Sequence, residues 1–241
     1  MKSIESLQKQ TESMDTESFL RFFCKEYGDT MALASSFGAE DQVLTDILCK
    51  VCKAPRIFTL DTGRLNQETY DVMQKTRERY NIAIEITFPD RNAVEKMVSE
   101  KGPNLMYDSV DNRKQCCSIR KVVPLMRKLN GLKVWITGLR REQAVTRTEI
   151  QRIEYDETNS MIKLNPLADW TTGQVWDYIK KYDIPYNKLH DQGYASIGCA
   201  PCTRAIEPHE DIRAGRWWWE TPESKECGLH IKDGKLVRKK N

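Results

Sequence analysis

The chain has 241 residues, of which 39% are hydrophobic and 30% charged, and its 38 basic and 35 acidic residues leave a net charge of only +3. This length and apolar content suffice for one substantial domain with a short appendage, and so small a net charge does not favour a nucleic-acid-binding protein. No apolar run approaches the roughly 18 residues of a membrane-spanning helix. The N-terminal segment MKSIESLQKQTESMDTESF is polar and acidic, unlike a targeting sequence, so we expect a cytoplasmic protein without a membrane partner.

Short apolar segments alternate with helical patterns along most of the chain. The strand candidates are residues 31–37, 56–62, 82–88, 133–139 and 161–167, and the helix candidates are 39–52, 65–80, 92–101, 117–129 and a last helix capped by Thr171 or Thr172. This alternation predicts an α/β fold with a mostly parallel central sheet flanked by helices. Glycine, proline, cysteine and tryptophan become dense after about residue 190. We therefore expect a main domain over residues 1–195 and a C-terminal segment over residues 196–241.

The loops that follow predicted strands deserve inspection because ligands of parallel sheets bind beyond the carboxyl ends of the strands. The first loop contains Ser35, Ser36, Phe37 and Gly38. Small residues before a helix let amides and hydroxyls approach an anion, although the glycine–lysine signature of a Walker loop is absent. An ordinary turn with a serine cap is the alternative interpretation.

Two further loops carry polar or cationic residues after a strand. Asp61 and Gly63 in LDTGRL could accept hydrogen bonds from a ribose or amine and form a tight turn, or could simply cap the next helix. Arg140, Arg141 and Arg147 follow the strand at 133–139. Arginine suits phosphate and sulfate, so this loop favours an anion site over a merely solvated basic loop.

Four of the eight cysteines form two suggestive pairs. Cys116 and Cys117 are adjacent, and Cys199 and Cys202 form a C-x-x-C motif. In a reducing compartment such a set favours metal binding or catalysis over disulfides. Four thiolates could hold a zinc ion or an iron–sulfur cluster. The adjacent pair favours the cluster, because a cubane offers separate iron corners to neighbouring thiolates.

The remaining cysteines divide between packing and reactivity. Cys49 and Cys52 fall at a predicted helix end within an apolar face, and Cys24 lies in a helical apolar pattern, so we interpret all three as packing residues. Cys227 lies in a polar segment rich in small and charged residues, with His230 three positions later. A thiol in such a setting is activated as a thiolate, although a spare surface cysteine is the alternative.

In this order, the motifs SSFGAED, CCSIRK, GCAPCTR, RAGRWWWE and KECGLH resemble those of the assimilatory sulfonucleotide reductases, specifically the iron–sulfur adenosine 5′-phosphosulfate (APS) reductases. The resemblance covers essentially the whole chain. It implies an adenine nucleotide α-hydrolase-like fold and APS as substrate. It also implies a [4Fe–4S] cluster on Cys116, Cys117, Cys199 and Cys202.

The resemblance also assigns roles in catalysis. It implies that Cys227 is the nucleophile, with His230 beside it. It assigns Lys121, Arg213 and Arg216 to the sulfate or phosphate of the substrate, together with the serine and arginine loops. The Cys227 thiolate would attack the sulfate sulfur and displace AMP, and thioredoxin would then release sulfite by thiol exchange. We expect the C-terminal tail to be mobile, because it must close over substrate and open for thioredoxin.

Several alternatives stay open at this point. The substrate could be the 3′-phosphorylated analogue PAPS, or both nucleotides, although Glu40 and Asp41 would disfavour a 3′-phosphate if they lie near the ribose. A non-catalytic nucleotide-binding protein with a four-cysteine zinc site is a more distant reading. An ATP pyrophosphatase-type ligase is disfavoured by the loop SSFGAED. A homo-oligomer is possible, and packing in the core is the expected role of Trp217–Trp219.

Overall fold

The computed structural model describes residues 3–143 and 147–221. Its strands are β1 (Met31–Ala34), β2 (Ile57–Leu60), β3 (Glu85–Thr87), β4 (Val134–Ile136), β5 (Ile153–Asp156) and β6 (Met161–Leu164). Its helices are α1 (Ile4–Thr11), α2 (Thr16–Tyr27), α3 (Ala39–Val51), α4 (Gln67–Tyr80), α5 (Arg91–Lys101), α6 (Val110–Cys117), α7 (Val123–Leu129) and α8 (Thr172–Lys181). A π-helical turn, Ser118–Val122, joins α6 to α7. Among these helices, none is long and apolar enough to cross a membrane.

The strands form one sheet in the order β3-β2-β1-β4-β6-β5. β1 pairs in parallel with β2 and β4, and β4 pairs in parallel with β6. β5 pairs with β6 in the antiparallel direction. The predicted α/β class with a mostly parallel sheet is therefore confirmed. β5 is not among the predicted strands because its sequence, IEYD, contains two carboxylates and no apolar run.

The described residues divide into two compact units. The first contains the described residues up to 59 together with 71–85 and 131–187, and the second contains 60–70, 86–130 and the described residues from 188 onward. The core of the first unit packs β1, β4 and β6 against α2, α3 and α8, with Leu33, Ile136 and Ile162 fully buried. Of the two predicted caps of α8, Thr171 and Thr172, the structure has Thr171, in a reciprocal capping box with Gln174.

The cysteines interpreted as packing residues lie on α2 and α3. Cys24, on α2, and Cys52, at the C-terminal cap of α3, are bonded to each other, with Cα atoms 5.7 Å apart. Both pack against the core of the first unit, so the packing interpretation holds. Their pairing is not expected from cysteine use in a reducing compartment. Cys49 is a free, partly buried thiol whose pKa is raised to about 12 by burial and by the charge of Asp46.

The core of the second unit is small and rich in sulfur. Its buried members are Met97, Leu105, Met106, Cys116, Cys117, Cys199, Cys202 and Trp217. Methionine and cysteine are adaptable apolar side chains. Four thiols in a core of this size indicate that the unit is organised around its cysteines.

Candidate active site

The adjacent cysteines lie where one helix changes its hydrogen-bonding pattern. Cys116 and Cys117 are the last two residues of α6. In the next turn the Val123 amide donates to the Ser118 carbonyl, and this five-residue step makes the turn π-helical. Pro124 follows and has no amide hydrogen to donate four residues back, which removes an α-helical bond at this point. The predicted single helix over 117–129 is therefore replaced by two α-helices joined by a π turn, with the cysteines just before it.

The two cysteine pairs line a single cavity in the second unit. Each of the four cysteines is 7 or 8% exposed. The wall of the cavity also contains Arg64, Met106, Arg113, Arg120, Lys121, Pro201 and Trp217. Within residues 3–143 and 147–221, no three histidine, cysteine or carboxylate side chains form a group that could hold one metal ion. The thiols surround a space that is lined by four cationic side chains.

A single turn of 3₁₀ helix at Ala200–Cys202 folds the C-x-x-C motif back on itself. The Cys202 amide donates to the Cys199 carbonyl at 2.9 Å, which keeps both thiols on the same turn. The Ala200 amide donates to the Arg64 carbonyl at 2.8 Å and ties this turn to the loop after β2. The motif is therefore rigidly held by backbone hydrogen bonds.

The charges around the cavity act unequally on the thiols. Burial raises the pKa of Cys199, but the charge of Lys121, a hydrogen bond with the Thr62 hydroxyl at 3.3 Å and the charge of Arg216 bring the net pKa below its ordinary value. Burial, and then the neighbouring Cys199, raise the pKa of Cys202 to about 12. The surroundings of Cys199 therefore stabilise a thiolate even within the protein alone.

Trp217 is held in the cavity wall in an unusual conformation. Its φ of 43° lies in the left-handed region, which a bulky residue rarely adopts, and its side chain is 1% exposed. The guanidinium carbons of Arg113 and Arg216 each lie 4.8 Å from its ring. Its indole N–H finds no acceptor among the described residues, and a buried donor without a partner is costly. The core-packing expectation fits Trp217, whereas Trp218 is 39% exposed.

The loop after β2 contributes to the same unit. Asp61 accepts hydrogen bonds from the Gly63 amide at 2.8 Å and the Tyr70 hydroxyl at 3.0 Å. Gly63 has a φ of 69°, which favours glycine, and a Cβ there would lie 3.4 Å from Arg120 Nη1. Arg120 Nη1 donates to the Thr62 carbonyl at 2.6 Å. The predicted tight turn is present. It places Thr62 between the Cys199 thiol and the Arg120 guanidinium.

The serine loop lies in the first unit, between β1 and α3. The Ser36 amide and hydroxyl donate to Asp41 Oδ2 at 2.6 and 2.8 Å, and the Ser35 hydroxyl accepts from the Phe37 amide at 3.1 Å. Phe37 is fully buried with a φ of 61°, and Gly38 caps α3 without a side-chain hydrogen bond. A helix N-terminus of this kind attracts anions. The donors of Ser36, however, are already engaged by a carboxylate of the same loop.

Arg140 is more deeply built into the first unit than the sequence suggests. Its side chain is 1% exposed and contacts Glu40 through Nε and Nη2 at 2.9 and 2.8 Å. Nη1 donates to Glu142 and the Trp170 carbonyl, and Nη2 donates to the Thr172 hydroxyl. These contacts give each of the three guanidinium nitrogens a protein partner. Anion binding by Arg140 stays a prediction that would require exchange of these contacts.

The other two arginines of this loop also have protein partners. Arg141 Nε donates to the Ile150 carbonyl at 2.8 Å, and its Nη1 pairs with Asp169. Arg147 Nη1 donates to Gln143 at 2.5 Å. Their contacts with an anion stay predictions.

Comparison with known proteins places the chain in a family. The sequence profile of the phosphoadenosine phosphosulfate reductase domain matches residues 30–205. The chain belongs to the phosphoadenosine phosphosulfate reductase family.

Relatives within the phosphoadenosine phosphosulfate reductase family are similar over most of their length. A protein named adenosine 5′-phosphosulfate reductase from Allochromatium vinosum is 51% identical over 210 residues, covering 87% of this chain and 82% of the relative. One of the same name from Burkholderia cepacia is 52% identical over 206 residues, covering 86% and 82%. A crystal structure of phosphoadenylyl-sulfate reductase from Candida auris, a phosphate complex, matches with a TM-score of 0.71 at 28% identity, covering 82% of this chain and 94% of that one. The resemblance and the expected fold are thus confirmed.

Some predicted site residues of this family member lie close to the cysteines, and others cannot be placed. Arg216 acts on Cys199, as described above, and it donates weakly to Ser196 at 3.3 Å. Arg213 is partly buried and its amide donates to the Asp211 carboxylate at 2.8 Å. Cys227 and His230 lie outside the described residues, as does most of the tail expected to be mobile. The roles assigned to all of these residues stay predictions.

Three residues around the cysteines were not singled out by the sequence. Thr62 contacts Cys199, and Arg113 lies in the cavity wall, paired with Glu220. Helical spacing could have indicated Arg113, because it precedes Cys117 by four residues on one helix. No local signal indicates Glu220, since its partner lies more than one hundred residues away.

Proposed function

We propose that this chain reduces adenosine 5′-phosphosulfate to sulfite and AMP, with a dithiol protein such as thioredoxin as electron donor, in assimilatory sulfate reduction. The observation that carries the proposal is the cavity lined by four cysteines and four cationic side chains. In addition, the chain is about half identical, over most of its length, to proteins named adenosine 5′-phosphosulfate reductase.

The residues of the cavity fit a [4Fe–4S] cluster, held by Cys116, Cys117, Cys199 and Cys202. Four thiolates are the usual ligands of such a cluster, and its separate iron corners suit two adjacent cysteines. The buried N–H of Trp217, which has no acceptor among the described residues, supplies a donor of the kind that cluster or thiolate sulfur accepts. Bound there, the cluster would contribute structure and local charge without a change of redox state.

The substrate carries a phosphate and a sulfate, so the protein must neutralise negative charge before a thiolate can approach. We assign this task to Lys121, Arg213 and Arg216. Lys121 and Arg216 already favour a thiolate at Cys199, which indicates that their charges act within the cysteine cavity. Cations aimed at an anionic transition state are among the largest contributions to catalysis. The nucleotide would use the loop Ser35–Gly38 at the N-terminus of α3.

Cys227 is the proposed nucleophile, with His230 as a second candidate catalytic residue. The Cys227 thiolate attacks the sulfate sulfur, the bond between that sulfur and the phosphate oxygen breaks, and AMP leaves. The product on the enzyme is a thiosulfonate. One thiolate of the donor then attacks the Cys227 sulfur and releases sulfite, and the second donor thiol resolves the mixed disulfide. The two electrons come from the dithiol, which ends as a disulfide.

The choice between the two nucleotides rests partly on Glu40 and Asp41. Glu40 forms an ion pair with Arg140, so its charge is compensated within the protein. Asp41 is buried and bonded to Ser36. Neither carboxylate is therefore an uncompensated repulsive charge in the described loop. We keep reduction of PAPS, or of both nucleotides, as the second candidate, because the Candida auris structure bears the name of that activity.

The deciding experiment measures sulfite release from APS and from PAPS by anaerobically purified protein with thioredoxin, and iron per chain in the same samples. We expect sulfite from APS and about four irons per chain. The Cys227→Ser variant should retain its iron and lose sulfite release. When wild-type protein is incubated with APS in the absence of thioredoxin, mass spectrometry should find the thiosulfonate on Cys227.

Each other outcome has a defined meaning. Comparable rates on PAPS would make the protein a dual-substrate reductase. Zinc in place of iron, no sulfite from either nucleotide and no effect of Cys227→Ser would refute the proposal and favour a non-catalytic four-cysteine protein.

A further inference from the structure

A buried ion pair lies in the second unit beside the cysteines. Arg113 Nε and Nη2 donate to the two carboxylate oxygens of Glu220, both at 2.8 Å. The two side chains are 1 and 2% exposed. The pair between Arg204 and Glu210 is similarly close but 39 and 25% exposed. Burying two charges costs solvation free energy that an exposed pair retains. The buried pair therefore need not stabilise the fold, and we look for a functional role for it.

The surroundings of Arg113 point to the cysteines. Arg113 precedes Cys116 and Cys117 by three and four residues on α6, the spacing that places side chains on one helix face. All three residues line the same cavity. The Cys117 sulfur lies within interaction range of the Arg113 guanidinium. The guanidinium also lies 4.8 Å from the ring of Trp217.

These contacts give each part of the guanidinium a separate partner. Two nitrogens are fixed by Glu220, and the plane lies near the indole of Trp217. The Cys117 sulfur is a further polar neighbour of the guanidinium. A guanidinium that is held by Glu220 on one side and faces a sulfur on the other has little rotational freedom. Lysine could keep the charge here but not this geometry.

We propose that Arg113 is a positioning residue of the reductase: anchored by Glu220, it directs a charged hydrogen-bond donor at the Cys117 sulfur and fixes Trp217 in the cavity wall. This inference rests on the proposed function, because Cys117 is a cluster ligand only there. Hydrogen bonds to ligand sulfurs and local charge tune iron–sulfur clusters. Loss of an outer partner of a metal ligand typically costs roughly 10–100-fold in metal affinity or activity.

The test compares holoenzyme variants purified anaerobically. Arg113→Lys keeps the charge and loses the fork, Arg113→Gln loses both, and Glu220→Gln keeps the arginine but weakens its anchor. The matched control is Arg204→Lys, in the exposed pair. We expect iron release to a chelator to accelerate by roughly 10–100-fold in both Arg113 variants, with a changed visible absorption spectrum, and less in Glu220→Gln. The control should behave like wild type in both measurements.

A second variant separates this role from folding. In Arg113→Met/Glu220→Leu, an apolar pair replaces the buried ions, an exchange that proteins can tolerate without loss of stability. We expect this protein to fold, by thermal unfolding, and still to lose iron as fast as Arg113→Gln. If it keeps iron and spectrum like wild type, or if Arg113→Lys does, Arg113 serves only the ion pair and the inference is wrong. Wild-type protein without iron or without sulfite release would instead refute the proposed function.

Discussion

Adding one methyl group at Gly138 should disturb the serine loop. A Cβ built there would lie 2.5 Å from Asp41 Oδ1 and 3.0 Å from Glu40 Cβ. Real Cβ atoms do not approach so closely, so Asp41 must move. Gly138 has no positive φ, so alanine fits the backbone and the effect comes from contact alone. Because Asp41 holds both donors of Ser36, its displacement breaks two hydrogen bonds to a carboxylate.

The magnitude follows from these contacts. Overpacking of a filled site costs about 1–3 kcal/mol. A hydrogen bond to a charged group contributes about 1.5–3 kcal/mol, and part of the loss is regained as the loop relaxes. We expect Gly138→Ala to lower the free energy of unfolding by about 2–4 kcal/mol. For a chain of this length that corresponds to a melting temperature lower by roughly 5–15 °C.

The assay is thermal unfolding of Gly138→Ala beside Gly173→Ala. The control adds the same methyl group in α8, where the nearest atom is Thr171 Oγ1 at 3.8 Å. Gly173→Ala should therefore stabilise the protein by about 0.4–1 kcal/mol. The same comparison is repeated in an Asp41→Ala background, which removes the contact with Asp41 and leaves the milder one with Glu40 Cβ. There we expect Gly138→Ala to cost less than half of its effect in the wild type.

Two results would refute this reasoning. One is a Gly138→Ala protein as stable as the wild type. The other is an equal cost in the wild-type and Asp41→Ala backgrounds, which would show that the methyl group acts elsewhere.

Three further predictions concern charge and sulfur. Burial raises the folded-state pKa of Asp41 from 3.8 to about 6. Its contribution to stability is therefore greatest below pH 3.8 and falls by up to about 3 kcal/mol as the pH rises through 6, a slope that Asp41→Asn should lack in pH-dependent urea unfolding. Lys121→Met should slow sulfite formation by about 100–1,000-fold at unchanged iron content, whereas the exposed Lys114→Met should not, and equal rates for both would exclude the electrostatic role. Cys24→Ser should remove a cross-link to Cys52 across 28 residues and cost about 3–4 kcal/mol without reductant. The difference should vanish in dithiothreitol, and a difference that persists would assign it to packing.

The fold class and the chemical character of the site can both be predicted from local sequence patterns. Alternation of apolar segments with amphipathic ones is a local property, and it predicts a mostly parallel sheet without any tertiary contact. The two cysteine pairs and the basic residues beside Cys117 are equally readable, because thiols and cations at these spacings suit few chemical tasks. The tight turn at Gly63 also follows from local sequence.

The partners of the polar side chains, in contrast, depend on long-range packing. The sequence predicts Arg140 as an anion ligand, yet each of its guanidinium nitrogens already has a protein partner, and most of these partners, such as Glu40, lie far away in the sequence. Arg113 has its carboxylate partner 107 residues later. The π turn after Cys117 depends on where helical hydrogen bonds close. Such facts cannot be read locally, because a buried polar group takes whichever partner the folded chain brings within about 3 Å, and that choice is made by the packing of the whole unit.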